Sequence, residues 1–455
     1  MKLVFIIDRQ NTYHFFSTLI NEGIRRKYEI ELWHNYFDEY KPPLIENSPF
    51  YKVNYKKIKY KKVLTKEGIS DLIRLSEGVD YFVHLNPVWF PLDKGLLKKI
   101  NGKWCIIQHG HDSFSTVWGW QAFKFSGNLL QKYNRLFFVY SDFFYNDKIS
   151  WLKRYSQSYG YGSRNYTFFT SKYTNIYPVG CTIYDKNILN IKKNEIYLKY
   201  KVPLEKSIFI YLPFIFQPSR AIYGKKGNYS WQAAFTSIYR NTDTLRESAK
   251  NFKIKLFLFE LIKKIVYFFK MLADKEARMW ILNEWNEEAV LKSIKSFCEA
   301  NNMVLIIKSK PQTAVPYNGR KYADIIVNDD GHQVYPSKLQ ELISISSITL
   351  GYHTTAVTES VIGEVHHINL ECPDSNLAYN EARLENHHTR EKSKNNFHGI
   401  VTNMKIPEFI EKFPSKDINE FSADKLARES YMDKYTGKTC ISSVESFYKV
   451  LEGVK

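Results

Sequence analysis

Apolar residues fall in short unbroken runs, separated by stretches in which they recur three and four positions apart. Leu3–Ile7 is such a run and predicts a buried strand. Phe15–Arg26 carries Phe15, Phe16, Leu19, Ile20, Gly23 and Ile24 at helical spacing, and Glu29–Trp33 predicts a second strand. A short helix over Ser70–Ser76 follows, then strands at Tyr81–Leu85, Trp104–Gln108, Leu136–Tyr140 and Asn175–Val179. A second series opens with the strand Ser207–Leu212, which stops at Pro213. It continues with a helix over Trp280–Asn301, strands at Met303–Lys308 and Asp324–Val327, and a helix over Lys338–Ile345. Thr349–Leu350 (strand), Ala356–Ile362 (helix) and His367–Leu370 (strand) complete it. Alternation of this kind predicts an α/β protein with two Rossmann-like domains in tandem, spanning residues 1–195 and 196–420. A helical insertion interrupts the second at about 214–280, and a helical tail occupies 421–455. Ligands of doubly wound sheets sit at the carboxyl ends of the strands, so a tandem pair is expected to bind between its domains.

The insertion contains the most amphipathic stretch of the chain, Lys253–Leu272. Leu256, Phe257, Leu261, Ile262, Ile265, Phe268, Phe269 and Leu272 share one broad face. Glu260, Lys263, Lys264, Tyr267 and Lys270 share the opposite stripe. Such a helix suits either a membrane interface or packing on a domain.

Charge adds weight to the first option. The 455 residues hold 65 Lys+Arg against 47 Asp+Glu, a formal charge of +18, which favours an anionic partner. Part of the excess is concentrated: Lys52, Lys56, Lys57, Lys59, Lys61, Lys62 and Lys66 alternate with Tyr51, Tyr55 and Tyr60, in a solvated loop, an edge strand or an anion-binding patch. With 44% hydrophobic and 16% aromatic residues the chain is not disordered. Its start is apolar only up to Ile7 before Asp8, too short for a signal-peptide core, and no apolar run reaches the length that spans a bilayer. A cytoplasmic protein, peripheral to the inner face of the plasma membrane, is the expectation. Cys105, Cys181, Cys298, Cys372 and Cys440 are far apart with no CxxC spacing, so neither disulfides nor a zinc site is expected. No RNP motif, zinc finger or helix-turn-helix pattern points to nucleic acid. A non-catalytic basic membrane- or nucleic-acid-binding protein stays as the remaining class.

Four segments carry candidate chemistry. In CIIQHGHDS an apolar strand ends at Gly110 between His109 and His111, with Asp112 beyond. His109 can serve as a general base or a phosphate contact, and Asp112 can orient the imidazole or act as a base itself. In GYHTT, Thr354 and Thr355 can cap the helix that follows, whose free N–H groups suit a diphosphate. His353 lies in the same loop, and Glu359 is placed to accept hydrogen bonds from ribose hydroxyls. The strand VLIIK ends in Lys308 and Lys310, cations for a phosphate leaving group. Arg220, past the strand that stops at Pro213, can reach a phosphate. Asp329-Asp330-Gly331 reads as a turn.

With these segments in order, the chain resembles the GT-B transferases of bacterial surface polysaccharides, close to the CDP-glycerol glycerophosphotransferase and capsule-polymer group. PVGCTIYD (Pro178–Asp185) is similar to the G-x-P-x-x-D segment of that group. YHTTAVTES is similar to its S-S/T-x-x-x-E nucleotide segment, and QHG to its first His-Gly motif. The resemblance runs over most of residues 1–375. It implies a metal-independent enzyme without cofactor, a nucleotide-activated donor held by Lys308, Lys310, His353, Thr354, Thr355, Glu359 and Arg220, and His109 as base. It also implies a glycan or polyprenyl-linked acceptor and a terminal helix crossing back to the first domain. The glycerophosphate-transferring members carry K-x-H-P where this chain has Lys308-Ser309-Lys310-Pro311. The missing His favours a glycosyl donor over CDP-glycerol or another polyol phosphate, which stays as the alternative.

Overall fold

The structure, a computed structural model, describes residues 1–7, 12–34, 54–57, 74–85, 103–108, 135–141, 176–184, 191–213, 258, 261, 262, 265, 269, 272, 287–309, 315, 317–329, 333, 336–352, 354, 356–371, 397–437 and 442–454. The chain divides into two compact units. The first comprises Met1–Leu189, Gln333–Tyr335 and Met432–Lys455; the second comprises Asn190–His332 and Pro336–Tyr431.

The first unit opens with β1 (Lys2–Ile7), α1 (Thr12–Arg25) and β2 (Glu29–His34). β3 (Asn54–Lys57), β4 (Tyr81–His84), β5 (Lys103–Ile107), β6 (Arg135–Val139) and β7 (Ile176–Pro178) complete a seven-stranded sheet. Its order is β3-β2-β1-β4-β5-β6-β7, and every pairing is parallel. Among the described residues the lysine-rich run thus contributes an edge strand, β3, paired with β2.

The second unit is built from α2 (Lys193–Tyr200), β8 (Ser207–Tyr211), α3 (Glu287–Ala300), β9 (Met303–Lys308), α4 (Tyr317–Tyr322) and β10 (Ile325–Val327). It continues with α5 (Lys338–Ile343), β11 (Ile348–Gly351), α6 (Ala356–Ile362), β12 (His366–Glu371), β13 (Val401–Lys405) and α7 (Ile406–Lys412). The six strands run in the order β10-β9-β8-β11-β12-β13, again all parallel. Counted within each unit, both sheets contain the order 3-2-1-4-5-6 of the doubly wound dinucleotide fold. The two tandem Rossmann-like sheets are those the alternation predicts.

Strands covered on both faces explain the unbroken apolar runs. Successive side chains of a strand point to opposite faces. In the second unit Phe209, Tyr211, Leu305 and Ile307 therefore enter one core with α3, while Ile208, Ile210, Val304 and Ile306 enter another with Ile196 of α2. Of the predicted Trp280–Asn301 helix, the described residues form Glu287–Ala300, and residues 280–286 lie outside them. The structure adds elements the pattern did not show: α2, with Ile196 its one buried residue, and β13, a polar edge strand of sequence VTNMK.

The chain then returns to the first unit. α8 (Lys425–Tyr435) gives its residues up to Tyr431 to the second unit and those from Met432 to the first. α9 (Ser443–Gly453) lies wholly in the first. Ser442 caps α9 by accepting from the Glu445 N–H at 3.2 Å. Val444, Phe447, Tyr448 and Leu451 of α9 join the core formed by Leu3, Phe5, Phe16, Leu19, Tyr81 and Phe138. The rings of Phe447 and Phe138 lie 4.5 Å apart. The Tyr448 hydroxyl donates to the Leu19 carbonyl at 2.6 Å, and the Tyr81 hydroxyl to the Leu451 carbonyl at 2.7 Å. Tyr448→Phe removes this bond but leaves the Leu19 carbonyl its helical partner within α1, and is expected to cost about 0.5–1.5 kcal/mol. A urea midpoint unchanged from wild type would contradict this.

Candidate functional site

In a sheet of this order, the loops leaving the first and fourth strands turn in opposite directions and open a crevice at their carboxyl ends. In the second unit those strands are β8 and β11, joined through Tyr211 and Leu350 in register and by the Leu212 N–H to the Leu350 carbonyl at 2.8 Å. β9 pairs with β8 on the other side, Ile307 opposite Tyr211. Neighbouring strands stand about 4.8 Å apart, so the ends of β9 and β11 are about 10 Å apart across β8. Of the described donor-side candidates, Lys308 and Thr354 lie at these ends and Glu359 on the helix that follows β11.

Lys308 closes β9. Its side chain is 3% exposed, and Nζ reaches Asp329 Oδ2 at 2.6 Å; the Asp329 side chain is 5% exposed. Nζ also donates to the Ser309 carbonyl at 2.9 Å, and Ser309 Oγ accepts from the Asp329 N–H at 2.9 Å. The ammonium is therefore committed to a buried carboxylate, and the pair pins the end of β9 to the residues after β10. A residue read from the sequence as part of a turn is the counter-ion of a candidate ligand. The two are 21 positions apart and meet only because β9 and β10 pair.

β11 ends at Gly351. A Cβ there would lie 2.9 Å from Thr354 Cγ2 and 3.6 Å from Leu212 Cβ, so glycine permits the close approach of this loop to the end of β8. Tyr352 is buried, its hydroxyl 3.2 Å from that of Tyr211. Thr354 Oγ1 accepts from the Ala356 N–H at 3.2 Å, the capping role its position predicts. All of α6 is buried, Glu359 included. Beneath it Thr349 Oγ1 donates to Ser360 Oγ at 2.7 Å and sits 2.8 Å from His367 Nδ1. His367 Nε2 is buried with no hydrogen-bond partner. Burial pushes the His367 imidazole down to about 3 and that of its neighbour His366 to about 4, since charging either ring would strip its hydration.

In the first unit the corresponding crevice lies between β1 and β4. His84 ends β4 and is buried, a residue that sequence reasoning passed over. The signal was present: a lone polar residue closing an apolar strand (YFVH), as Lys308 closes MVLIIK. Just past the adjacent β5, Gln108 is buried and its Oε1 accepts from the Tyr140 N–H at 2.9 Å. This bond fixes the strand exit from which His109 follows. The PVGCTIYD segment is held by the returning chain. Gly180 and Gly437 have φ of +93° and +92°, and a Cβ on Gly437 would meet the Tyr140 carbonyl oxygen at 2.3 Å. The Cys181 N–H donates to the Thr436 carbonyl at 2.7 Å, and Thr18 Oγ1 to the Thr182 carbonyl at 2.7 Å.

His109, Asp112, Lys310, His353, Thr355 and Arg220 lie outside the described residues, as do Cys372 and Cys440. Cys105, Cys181 and Cys298 are buried. Among the described residues no three His, Cys, Asp or Glu side chains cluster as a metal site requires.

No model of a known protein family matches the chain, and no curated protein does. Solved structures do. The wall teichoic acid polymerase TagF matches with a TM-score of 0.50 at 9% identity, covering 99% of this chain and 88% of that one. A UDP-GlcNAc 2-epimerase from Neisseria meningitidis bound to UDP-GlcNAc matches at 0.47 and 12% identity, over 100% and 99% of the two chains. A glycosyltransferase from Rickettsia africae matches at 0.47 and 9% identity, over 100% and 98%. At such identities the likeness is one of architecture, and it agrees with the strand orders: this chain has the fold of the GT-B proteins, two Rossmann-like α/β units in tandem.

Proposed function

We propose that the protein is a GT-B transferase that moves a sugar from a nucleotide-activated donor to a surface-glycan acceptor of the capsule, O-antigen or teichoic type. The observation that supports this is the second unit's 3-2-1-4-5-6 sheet with polar groups at the carboxyl ends flanking its first strand: Lys308 and Ser309 after β9, Thr354 and Glu359 after β11. In this reading Thr354, Thr355, His353 and Glu359 hold the nucleoside. Lys310 and Arg220 face the phosphates, and Lys308, bound to Asp329, positions the strand end. In the first unit His109, oriented by Asp112, takes the proton from the acceptor hydroxyl as its oxygen attacks the anomeric carbon. The bond from that carbon to the phosphate oxygen breaks, and the nucleotide leaves as an anion stabilised by the cations around it. A polyprenyl-linked acceptor would bring the enzyme to the inner face of the plasma membrane. No helix among the described residues is long and apolar enough to cross one.

A thermal-shift screen against CMP, CDP, UDP, GDP and dTDP tests the reading. One nucleotide at about 100 times its Kd should raise the apparent midpoint by several degrees, an effect lost in Glu359→Ala. No shift with any of them would overturn it. The nucleotide that binds selects the donor for turnover, nucleotide sugar against CDP-glycerol.

A further inference from the structure

The amphipathic stretch of the insertion left two options open, a lipid surface or the protein's own core. Residues 258, 261, 262, 265, 269 and 272 are helical in the structure. Their side chains are all large and apolar, and all exposed: Leu258 49%, Leu261 46%, Ile262 50%, Ile265 49%, Phe269 63% and Leu272 62%. At the ~100° per residue of an α-helix these six positions fall within an arc of about 100°, one continuous stripe. Exposed large hydrophobics elsewhere among the described residues are only Leu198, Leu204 and Leu426, none of which belongs to such a series. Scattered apolar residues on a surface need no explanation, but a contiguous stripe marks a surface that something covers.

The sequence around the stripe decides between occupants. Lys253, Lys255, Lys263, Lys264 and Lys270 are interleaved with it, against Glu260 as the one acidic residue from 253 to 272, and the whole chain carries +18. A second copy of this chain would bring equal positive charge to the same contact, which opposes self-association. An anionic lipid surface answers both features: it accepts apolar side chains at the level of the acyl boundary and attracts lysines at the level of the headgroups.

We infer that this helix is a membrane-docking element that lies in the interface of an anionic bilayer, with Leu258, Leu261, Ile262, Ile265, Phe269 and Leu272 facing the acyl chains. None of these six residues is a candidate of the nucleotide site, and the inference holds whether or not the second unit takes a nucleotide.

Co-sedimentation of the full-length protein with vesicles tests it, using phosphatidylcholine containing about one-third phosphatidylglycerol against phosphatidylcholine alone. The protein should bind the anionic vesicles, and binding should weaken with added salt. Leu261→Glu/Ile265→Glu should reduce the partition coefficient about tenfold or more without moving the thermal midpoint, because both side chains are already exposed. The single change Lys264→Gln should have a smaller, salt-sensitive effect. The inference is overturned if the wild type ignores anionic vesicles, if the double variant binds them as the wild type does, or if sedimentation shows a dimer that the double variant abolishes. A protein that docks on vesicles but shows no nucleotide shift would leave this surface standing and remove the transferase reading.

Discussion

Acidification from a pH of about 7 to about 5 is expected to strip about 4 kcal/mol from the second unit. The cause is the adjacent pair His366 and His367 on β12. Their folded-state values, about 4 and about 3, lie below the 6.5 of an exposed imidazole. Both rings are neutral in the folded protein at either pH, while the unfolded chain takes up a proton on each below about 6.5. Stability is thus complete above that value and falls as the pH drops, until the folded rings themselves titrate. At about 1.36 kcal/mol per pH unit, 1.5 units below 6.5 gives about 2 kcal/mol for each ring. The pairings that hold the neutral forms are His367 Nδ1 with Thr349 Oγ1 at 2.8 Å and His366 Nε2 with Thr402 Oγ1 at 2.9 Å. Urea midpoints measured at both pH values should separate strongly for wild type. They should separate only about half as much for His367→Gln. Equal separation in the two proteins would dismiss His367 as a source.

Asp329→Ala is the second large effect. It leaves the Lys308 ammonium, 3% exposed, without its carboxylate. Removing one member of a buried ion pair costs about 3–5 kcal/mol, because the survivor keeps its desolvation penalty and loses its partner. Replacing both together, Lys308→Met with Asp329→Leu, should recover most of that loss. The readout that separates local from global damage is nucleotide binding. If the pair positions the end of β9 for the donor, the double variant should fold yet show a weaker thermal shift. A double variant with an undiminished shift would confine the pair to stability.

The architecture was legible because strands buried on both faces write continuous apolar runs, and MVLIIK and KLVFII cannot be mistaken for exposed segments. β13 was not legible, since VTNMK at an edge has one partner strand and needs little apolar surface. At the site, Thr354 could be assigned as a cap from local spacing alone, and the Ala356 N–H confirms that bond. The fate of Lys308 could not, because its counter-ion is chosen by the pairing of β9 with β10 rather than by anything near it in sequence. Gly437 was silent for the same reason: its need for φ of +92° arises from the passage of Tyr140 and Gly180 beside it.

The discontinuous first unit sets an order of events in the cell. Phe447, Tyr448 and Leu451 fill the hydrophobic centre whose other wall is made by β1, α1 and β4, yet a ribosome delivers them only after the entire second unit. Domains ordinarily fold as they emerge, the earliest first. Here the earlier-made sheet must wait with an apolar face uncovered while the later-made one can complete itself. Loss of α9 alone is therefore expected to leave the first unit's sheet with an apolar face uncovered and the product prone to aggregation.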